Sequence, residues 1–180
     1  MLEKRLETGL IHIYTGDGKG KTTAAIGQGT RTAGGGYKVL MVQFLKGDDT
    51  GELYSIDSMP NFTLKRYAEL NSFYPFLSED KKLAVKEKIQ HALKDLTEVI
   101  ENQEYNMIIL DEIMAVLYNE IMPIEDVVSL LKKKPDHMEM ILTGRNAPED
   151  LVNMADYVTE MKMIKHPYEK GIYARKGIES

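Results

Sequence analysis

The chain of 180 residues has no cysteine and no tryptophan. Without cysteine there is no disulfide, no thiolate metal site and no cysteine nucleophile. Histidine is scarce: His12, His137 and His166 are not spaced as a metal site, and His91, beside an apolar helical stripe, reads as structural or exposed. No apolar run approaches the length of a membrane span. The residues from Met1 to Glu7 are too rich in charge for a signal peptide, so the cytoplasm is the expected location. The net charge of −5 lacks the basic surplus of a general nucleic-acid binder, so neither nucleic acid nor membrane is an expected partner. With 43% hydrophobic and 28% charged residues, the composition suits one compact domain over 1–180 with a sizeable core. The eleven methionines read as fillers of core gaps.

What the chain does have is Thr15-Gly16-Asp17-Gly18-Lys19-Gly20-Lys21-Thr22-Thr23, set between the apolar run Leu10 to Tyr14 and the helix opening Ala24 to Gly27. Strand, glycine-rich turn, Gly-Lys-Thr and helix is the order of a phosphate-binding loop. Glycines let backbone N–H groups converge on phosphate oxygens with no Cβ in the way. The helix N-terminus adds unpaired donors and partial positive charge. Lys21 would reach the outer phosphates, and the Thr22 hydroxyl would bind Mg²⁺. The nucleotide-binding set is therefore Gly16, Asp17, Gly18, Lys19, Gly20, Lys21, Thr22 and Thr23. One departure is visible: the usual pattern has glycine where Thr15 stands, so Gly16 and Gly18 must supply the backbone freedom. A ligand-free turn would give Lys21-Thr22 no packing purpose.

The rest of the chain alternates strand-like and helix-like stretches. That predicts an α/β fold: a P-loop NTPase-like three-layer sandwich of about six mainly parallel strands with helices on both faces. A helix runs from Lys21 to Ala33 and stops at Gly34-Gly35-Gly36. Lys38 to Phe44 is a buried strand, and Gln43 near its C-terminal end either faces the ligand crevice or bonds neighbouring backbone. A polar loop from Lys46 to Glu52, a short helix and a strand from Phe62 to Tyr67 follow. Ala68 to Leu77 reads as a loop whose three aromatics either tuck onto the core or wall a flat ligand. Ser78 is placed to cap a long helix with Ile89, Ala92, Leu93, Leu96 and Ile100 on its buried stripe.

Met107 to Leu110 runs into Asp111-Glu112. Carboxylates at such a strand end lie across from Thr22 and can hold Mg²⁺ directly or through water; otherwise they start an acidic helix. The metal set is thus Thr22, Asp111 and Glu112. After a helix opened by Pro123, the strand Glu139 to Thr143 leads into Gly144-Arg145, where Arg145 would meet phosphate or pair with Asp111 or Glu112. A helix from Pro148 to Met154 and a strand from Tyr157 to Met163 complete the pattern. Lys162, Lys165, Lys170, Arg175 and Lys176 make a local basic run that reads as a solvated face unless a polyanion lies near.

Several of these blocks together resemble the ATP:corrinoid adenosyltransferases of the P-loop type. They are Thr15 to Ala25, Arg31, Val42-Gln43-Phe44-Leu45-Lys46-Gly47 with Gly51-Glu52, Leu110-Asp111-Glu112, Leu142-Thr143-Gly144-Arg145, Ala155 to Met161, and Lys165-His166 with Gly171 to Glu179. The resemblance implies transfer of the 5′-deoxyadenosyl group of ATP to Co(I) of a corrinoid, with triphosphate released, as in a cob(I)yrinic acid a,c-diamide or cob(I)alamin adenosyltransferase of adenosylcobalamin biosynthesis or salvage. It implies ATP and corrinoid as substrates, Mg²⁺, an electron-donating flavoprotein or other reductase, and a homodimer. Arg31, Gln43 and Arg145 join the nucleotide set, and Lys21, Thr22 and Glu112 carry the chemistry. Relatives have a Gly-Phe-Thr-Trp segment where this chain has Asn71 to Leu77, so Phe73, Tyr74 and Phe76 are expected to substitute on the corrinoid side. Many relatives also have a longer N-terminal arm. Two other readings stay open: a P-loop NTPase or kinase, and an ATP-binding corrinoid-handling protein without transfer activity.

Overall fold

The computed structural model describes residues 4–179. Six strands, β1 (Ile11–Thr15), β2 (Val39–Phe44), β3 (Phe62–Tyr67), β4 (Met107–Asp111), β5 (Glu139–Thr143) and β6 (Tyr157–Glu160), form one sheet in the order β3-β2-β4-β5-β1-β6. Every neighbouring pair is parallel. Parallel strands require crossovers, and helices supply them: α1 (Lys21–Gly34), α2 (Gly51–Asp57), α3 (Glu79–Glu101), α4 (Ile113–Tyr118), α5 (Ile124–Lys132) and α6 (Glu149–Met154).

The layers follow from side-chain alternation along the central strands. Leu40, Val42 and Phe44 of β2 and Ile108 and Leu110 of β4 join a core with Val85, Ile89 and Leu96 of α3 and Val127 and Leu130 of α5. The residues between them, Val39 and Met41 of β2 and Ile109 of β4, join Ala25 and Ala33 of α1 and Ile56 of α2 on the other face. Each fully buried aliphatic side chain contributes about 1.5–3 kcal/mol relative to exposure. The same alternation puts Gln43 and Asp111 on the α1 face, at the strand ends beside the start of α1. At the opposite end of the sheet, the buried Asn106 accepts from the Lys38 amide at 2.8 Å and donates to the Lys4 carbonyl at 2.7 Å, tying β2, β4 and the N-terminal segment together.

Several boundaries differ from the sequence expectation. The sixth strand stops at Glu160, short of Met163, because the chain turns there to brace the phosphate-binding loop. Gly51 and Glu52 belong to the first turn of α2 and not to the preceding loop. The helix α4 starts at once after Asp111-Glu112, so the acidic pair also opens a helix, the alternative reading of it. Ser78 sits at the head of α3, but its hydroxyl makes no capping bond; its carbonyl accepts from Lys82 N–H at 2.9 Å. The segment Ala68 to Leu77 contains a single 3-10 turn, Tyr74–Phe76, and the C-terminal segment another, Pro167–Lys170.

Candidate active site

The loop between β1 and α1 is pressed against the chain that follows β6. Gly18 N–H donates to the Met161 carbonyl at 2.7 Å, and Met163 N–H donates to the Asp17 carboxylate at 3.1 Å. That second bond is the main reason the Asp17 carboxyl is held below the usual carboxylate range. A Cβ on Gly16 would lie 2.4 Å from the Met161 carbonyl oxygen, and one on Gly18 would lie 2.6 Å from it, so neither position accepts a side chain without moving the loop. Gly16 and Gly20 also have φ of +99° and +118°. Thr15, in the place of the usual glycine, accepts from Ala147 N–H at 3.3 Å and so ties the loop to the segment after β5.

Lys21 is buried, and its ammonium donates to the Gly18 carbonyl at 2.8 Å. Burial lowers its pKa, and Arg145 nearby adds to that, while the carboxylates Glu112, Asp17 and Asp111 oppose it.

Asp111 is the hub below the loop and is completely buried. Its Oδ1 accepts from the Thr22 hydroxyl at 2.8 Å and the Thr143 hydroxyl at 2.7 Å. Its Oδ2 accepts from the Lys46 ammonium at 2.8 Å and the Gln43 amide at 3.2 Å. A buried carboxylate left unpaired costs several kcal/mol, and these bonds, one from a cation, offset that cost. Glu112 follows in the left-handed region at φ +63°, held by its N–H donating to Thr143 Oγ1 at 3.0 Å. A non-glycine residue in that region stores about 1 kcal/mol or more. Burial, and then the charge of Asp111, raise the Glu112 pKa; Lys46, Lys21 and Arg145 act against the rise.

Two cavities meet here. One, of about 580 Å³, is lined by the loop residues Asp17 to Thr23, by Lys46, Glu52, Glu112 and Arg145, and by the C-terminal residues His166, Ala174, Gly177, Ile178 and Glu179. The other, of about 660 Å³, is lined mainly by Phe44, Leu45, Leu70, Phe73, Tyr74, Phe76, Ala115 and Tyr118. They share Lys46, Asp48 and Glu112 as a common wall. Phe73 and Phe76 are 79% and 83% exposed at the rim of the second cavity, whereas Tyr74 is buried at 9%.

Asp17, Gly18, Lys19, Gly20, Lys21, Thr22, Thr23, Glu112 and Arg145 thus converge on the first cavity. Gly16 backs the loop. Gln43 and Asp111 lie beneath the cavity surface: Gln43 is fully buried, donates also to Glu52 Oε1 at 3.0 Å, and accepts from Arg66 Nε at 2.9 Å. Arg31 does not join them; it is exposed in the last turn of α1, outside the cavity lining. Arg145 pairs with neither Asp111 nor Glu112 among the described residues. The basic side chains Lys162, Lys165, Lys170, Arg175 and Lys176 are exposed and line neither cavity, although the segment that carries them covers the first.

Lys46, Glu52 and Thr143, though within the blocks that carry the resemblance, were given no site role from sequence, and Arg66 was not named at all. Thr143 ends β5 as a polar residue after an apolar strand, the same signal that marked Gln43. Arg66 had no such signal: its value lies in reaching Gln43, the Asp48 carbonyl at 2.7 Å and Thr50 Oγ1 at 2.8 Å from a neighbouring strand.

The group Thr22, Asp111 and Glu112 offers hard oxygen donors, the chemistry Mg²⁺ prefers. Thr22 donates its proton to Asp111 and accepts from Lys46 Nζ at a long 3.4 Å, which leaves a lone pair on its oxygen for a cation. An ammonium already rests on Asp111, so the pocket favours a cation. The residues therefore fit the metal, although no group of three or more His, Cys, Asp or Glu suited to one forms among the described residues. No helix among the described residues is long and apolar enough to cross a membrane.

Residues 7–180 match the family model described as ATP:corrinoid adenosyltransferase BtuR/CobO/CobP. The chain is 39% identical to a corrinoid adenosyltransferase of Sinorhizobium sp over 183 residues, spanning 99% of this chain and 84% of that protein. It is 34% identical to a corrinoid adenosyltransferase of Escherichia coli K12 over 96% of this chain and 86% of the relative, and 32% identical to the corrinoid adenosyltransferase CobA of Salmonella typhimurium over the same shares. With matches running through the phosphate-binding loop, the Asp111 hub and the C-terminal segment alike, the chain belongs to the ATP:corrinoid adenosyltransferase family.

Proposed function

We infer that this chain transfers the 5′-deoxyadenosyl group of ATP to Co(I) of a reduced corrinoid, in adenosylcobalamin biosynthesis or salvage. The observation that carries the reading is the junction of a phosphate-binding cavity with an aromatic one across Lys46, Asp48 and Glu112. Triphosphate suits the first, and a broad, flat corrinoid suits the second. In the reaction a cobalt–carbon bond forms at C5′, the C5′–O bond breaks, and its electron pair leaves on triphosphate. The nucleophile is the substrate itself, so the reaction needs no Ser-His-Asp set.

The protein's part is orientation and charge. The loop amides at the start of α1 would face the phosphates, while the Gly18 amide, held by the Met161 carbonyl, fixes the loop's shape. Lys21 exchanges the Gly18 carbonyl for phosphate oxygen; a lysine about 4 Å from a phosphate charge is worth on the order of 4 kcal/mol at an effective dielectric near 20, before desolvation. Arg145, unpaired with the carboxylates, adds a second cation at the mouth. We assign Mg²⁺ to Thr22 and Glu112 with Asp111, where it would neutralise charge on the departing triphosphate. Phe73 and Phe76 would cover the corrinoid face, with Tyr74 anchoring their turn. The reductant is assigned to a flavoprotein or other reductase and the assembly to a homodimer, both from the family resemblance, and the location to the cytoplasm.

The test is anaerobic: the protein, ATP, Mg²⁺ and chemically reduced Co(I) cobalamin are mixed, the corrinoid spectrum is followed, and triphosphate is assayed. Adenosylcobalamin with equimolar triphosphate is expected. Phosphate or ADP release without adenosylation would overturn the reading in favour of an NTPase or kinase. Tight ATP binding with neither product would mean a corrinoid-handling protein.

A further inference from the structure

Lys46 stands where the two cavities meet, and three observations set it apart. Its ammonium is 2.8 Å from Asp111 Oδ2, 3.4 Å from Thr22 Oγ1 and 3.8 Å from Glu52 Oε1. It therefore rests on two of the side chains assigned above to a divalent metal, Asp111 and Thr22, and a dication and an ammonium cannot share that space. Leu45, just before it, takes the left-handed region at φ +59°, a conformation unusual for leucine, and its N–H is held by the Tyr67 carbonyl at 3.2 Å. Beyond it, Arg66 fastens the loop through the Asp48 carbonyl and Thr50. The backbone on both sides is thus pinned, and the four-carbon side chain is the part left to move.

We propose that Lys46 is the site's own counter-cation: it neutralises Asp111 and holds the Thr22–Asp111 pair in place before nucleotide arrives, and it passes to the triphosphate when a divalent metal takes those oxygens. The proposal rests on the assignment of the metal to Thr22, Asp111 and Glu112. Its chemistry is that of a strongly hydrated point charge on a flexible stem, which can change partners without backbone motion. Lys46 already lines the phosphate cavity, so the exchange needs only side-chain rotation. Two consequences follow. The nucleotide-free site binds a divalent metal poorly, because the ammonium competes for it. ATP binds with part of its charge compensated even without metal, because the same ammonium is available to phosphate.

The test uses the full-length protein and readouts independent of adenosyl transfer. Mn²⁺ binding to the nucleotide-free protein is measured by the loss of the aqueous Mn²⁺ electron paramagnetic resonance signal, for the parent, Lys46→Met and Lys46→Arg. Lys46→Met is expected to bind one Mn²⁺ at least about tenfold more tightly than the parent, about 1.4 kcal/mol, and Lys46→Arg to stay near the parent. The added site should vanish when Asp111→Asn is combined with Lys46→Met. ATP affinity in excess chelator should fall about tenfold in Lys46→Met. Should Lys46→Met fail to fold, Lys46→Gln, one bond shorter but with a neutral donor, takes its place. Equal Mn²⁺ affinity in parent and variant, or unchanged metal-free ATP affinity, would overturn the proposal. Because neither measurement involves corrinoid, a chain that fails to adenosylate could still pass both, and the two readings fail separately.

Discussion

Gln43 and Asp111 are register partners on adjacent parallel strands, and the Gln43 amide donates to the Asp111 carboxylate at 3.2 Å. Arg66 fixes the sense of that amide by donating to Gln43 Oε1 at 2.9 Å, so the NH₂ group must face Asp111 and Glu52. Replacing Gln43 by Met keeps the volume but leaves Arg66 Nε without this acceptor and Asp111 with one donor fewer. A loss of about 1–3 kcal/mol is expected, read as a lower urea midpoint with an unchanged slope.

Gly18→Ala tests the brace between the phosphate-binding loop and the chain after β6. The new methyl would lie 2.6 Å from the backbone oxygen of Met161, so the loop itself must move. ATP affinity measured by calorimetry should fall by roughly tenfold or more, about 1.4 kcal/mol, because the amides no longer converge. Gly27→Ala, at a helical position with nothing within 4 Å, is the control and should leave affinity unchanged.

Lys21 makes ATP binding depend on pH. Burial lowers its pKa from the ordinary 10.5 in the nucleotide-free protein, and phosphate should restore it. Below the lowered value the lysine is charged in both states, so affinity carries no pH dependence from it. Between the lowered and the restored values, binding takes up a proton, and affinity falls as pH rises, by up to about tenfold per pH unit. Calorimetry in two buffers of different ionisation enthalpy should detect that uptake. Its absence across the alkaline range would contradict the role given to Lys21.

Glu112→Gln should separate stability from activity. The Glu112 pKa is raised in the folded protein, so its charged form is disfavoured there relative to the unfolded chain. At neutral pH the native carboxylate is a burden, and Gln should raise Tm. The advantage should shrink as pH falls through the raised value, where Glu112 becomes protonated in the folded state, and vanish below the unfolded pKa near 4.5. Mg²⁺-dependent adenosylation should drop at least about a hundredfold if a metal ligand has been lost, roughly 2.7 kcal/mol of transition-state stabilisation.

Phe73→Ala with Phe76→Ala should cost little stability, within about 0.5 kcal/mol, since both rings are mostly exposed. Adenosylation starting from Co(II) corrinoid and a reductant should nonetheless fall several-fold or more. Tyr74 is left intact because it is buried, and its removal would confound the result. Unchanged adenosylation would sink the idea that this turn substitutes for the family's Gly-Phe-Thr-Trp segment.

The sequence alone determined the layered α/β fold, because short continuous apolar runs, buried on both faces as β2 and β4 are, and period-3.6 helical stripes are local signals. It also determined the phosphate-binding loop and the acidic strand end, since glycine, Lys-Thr and Asp-Glu have few structural uses at those spacings. It offered a helix after Asp111-Glu112 only as an alternative and gave α4 no bounds, because Ile113–Tyr118 is a run of apolar residues too short to show a period. Only the tertiary structure decided the wiring. Asp111 becomes a saturated hub because β2, β4 and β5 lie side by side and bring Gln43 and Thr143 to it, while Thr22 reaches it from the first turn of α1 and Lys46 from the loop beyond β2. Arg66 acquires a role through a strand pairing that spacing cannot reveal. The C-terminal segment closes over the phosphate cavity with His166, Ala174, Gly177, Ile178 and Glu179 and leaves its lysines in solvent, since a segment far along the chain meets residue 17 only once the sheet has formed.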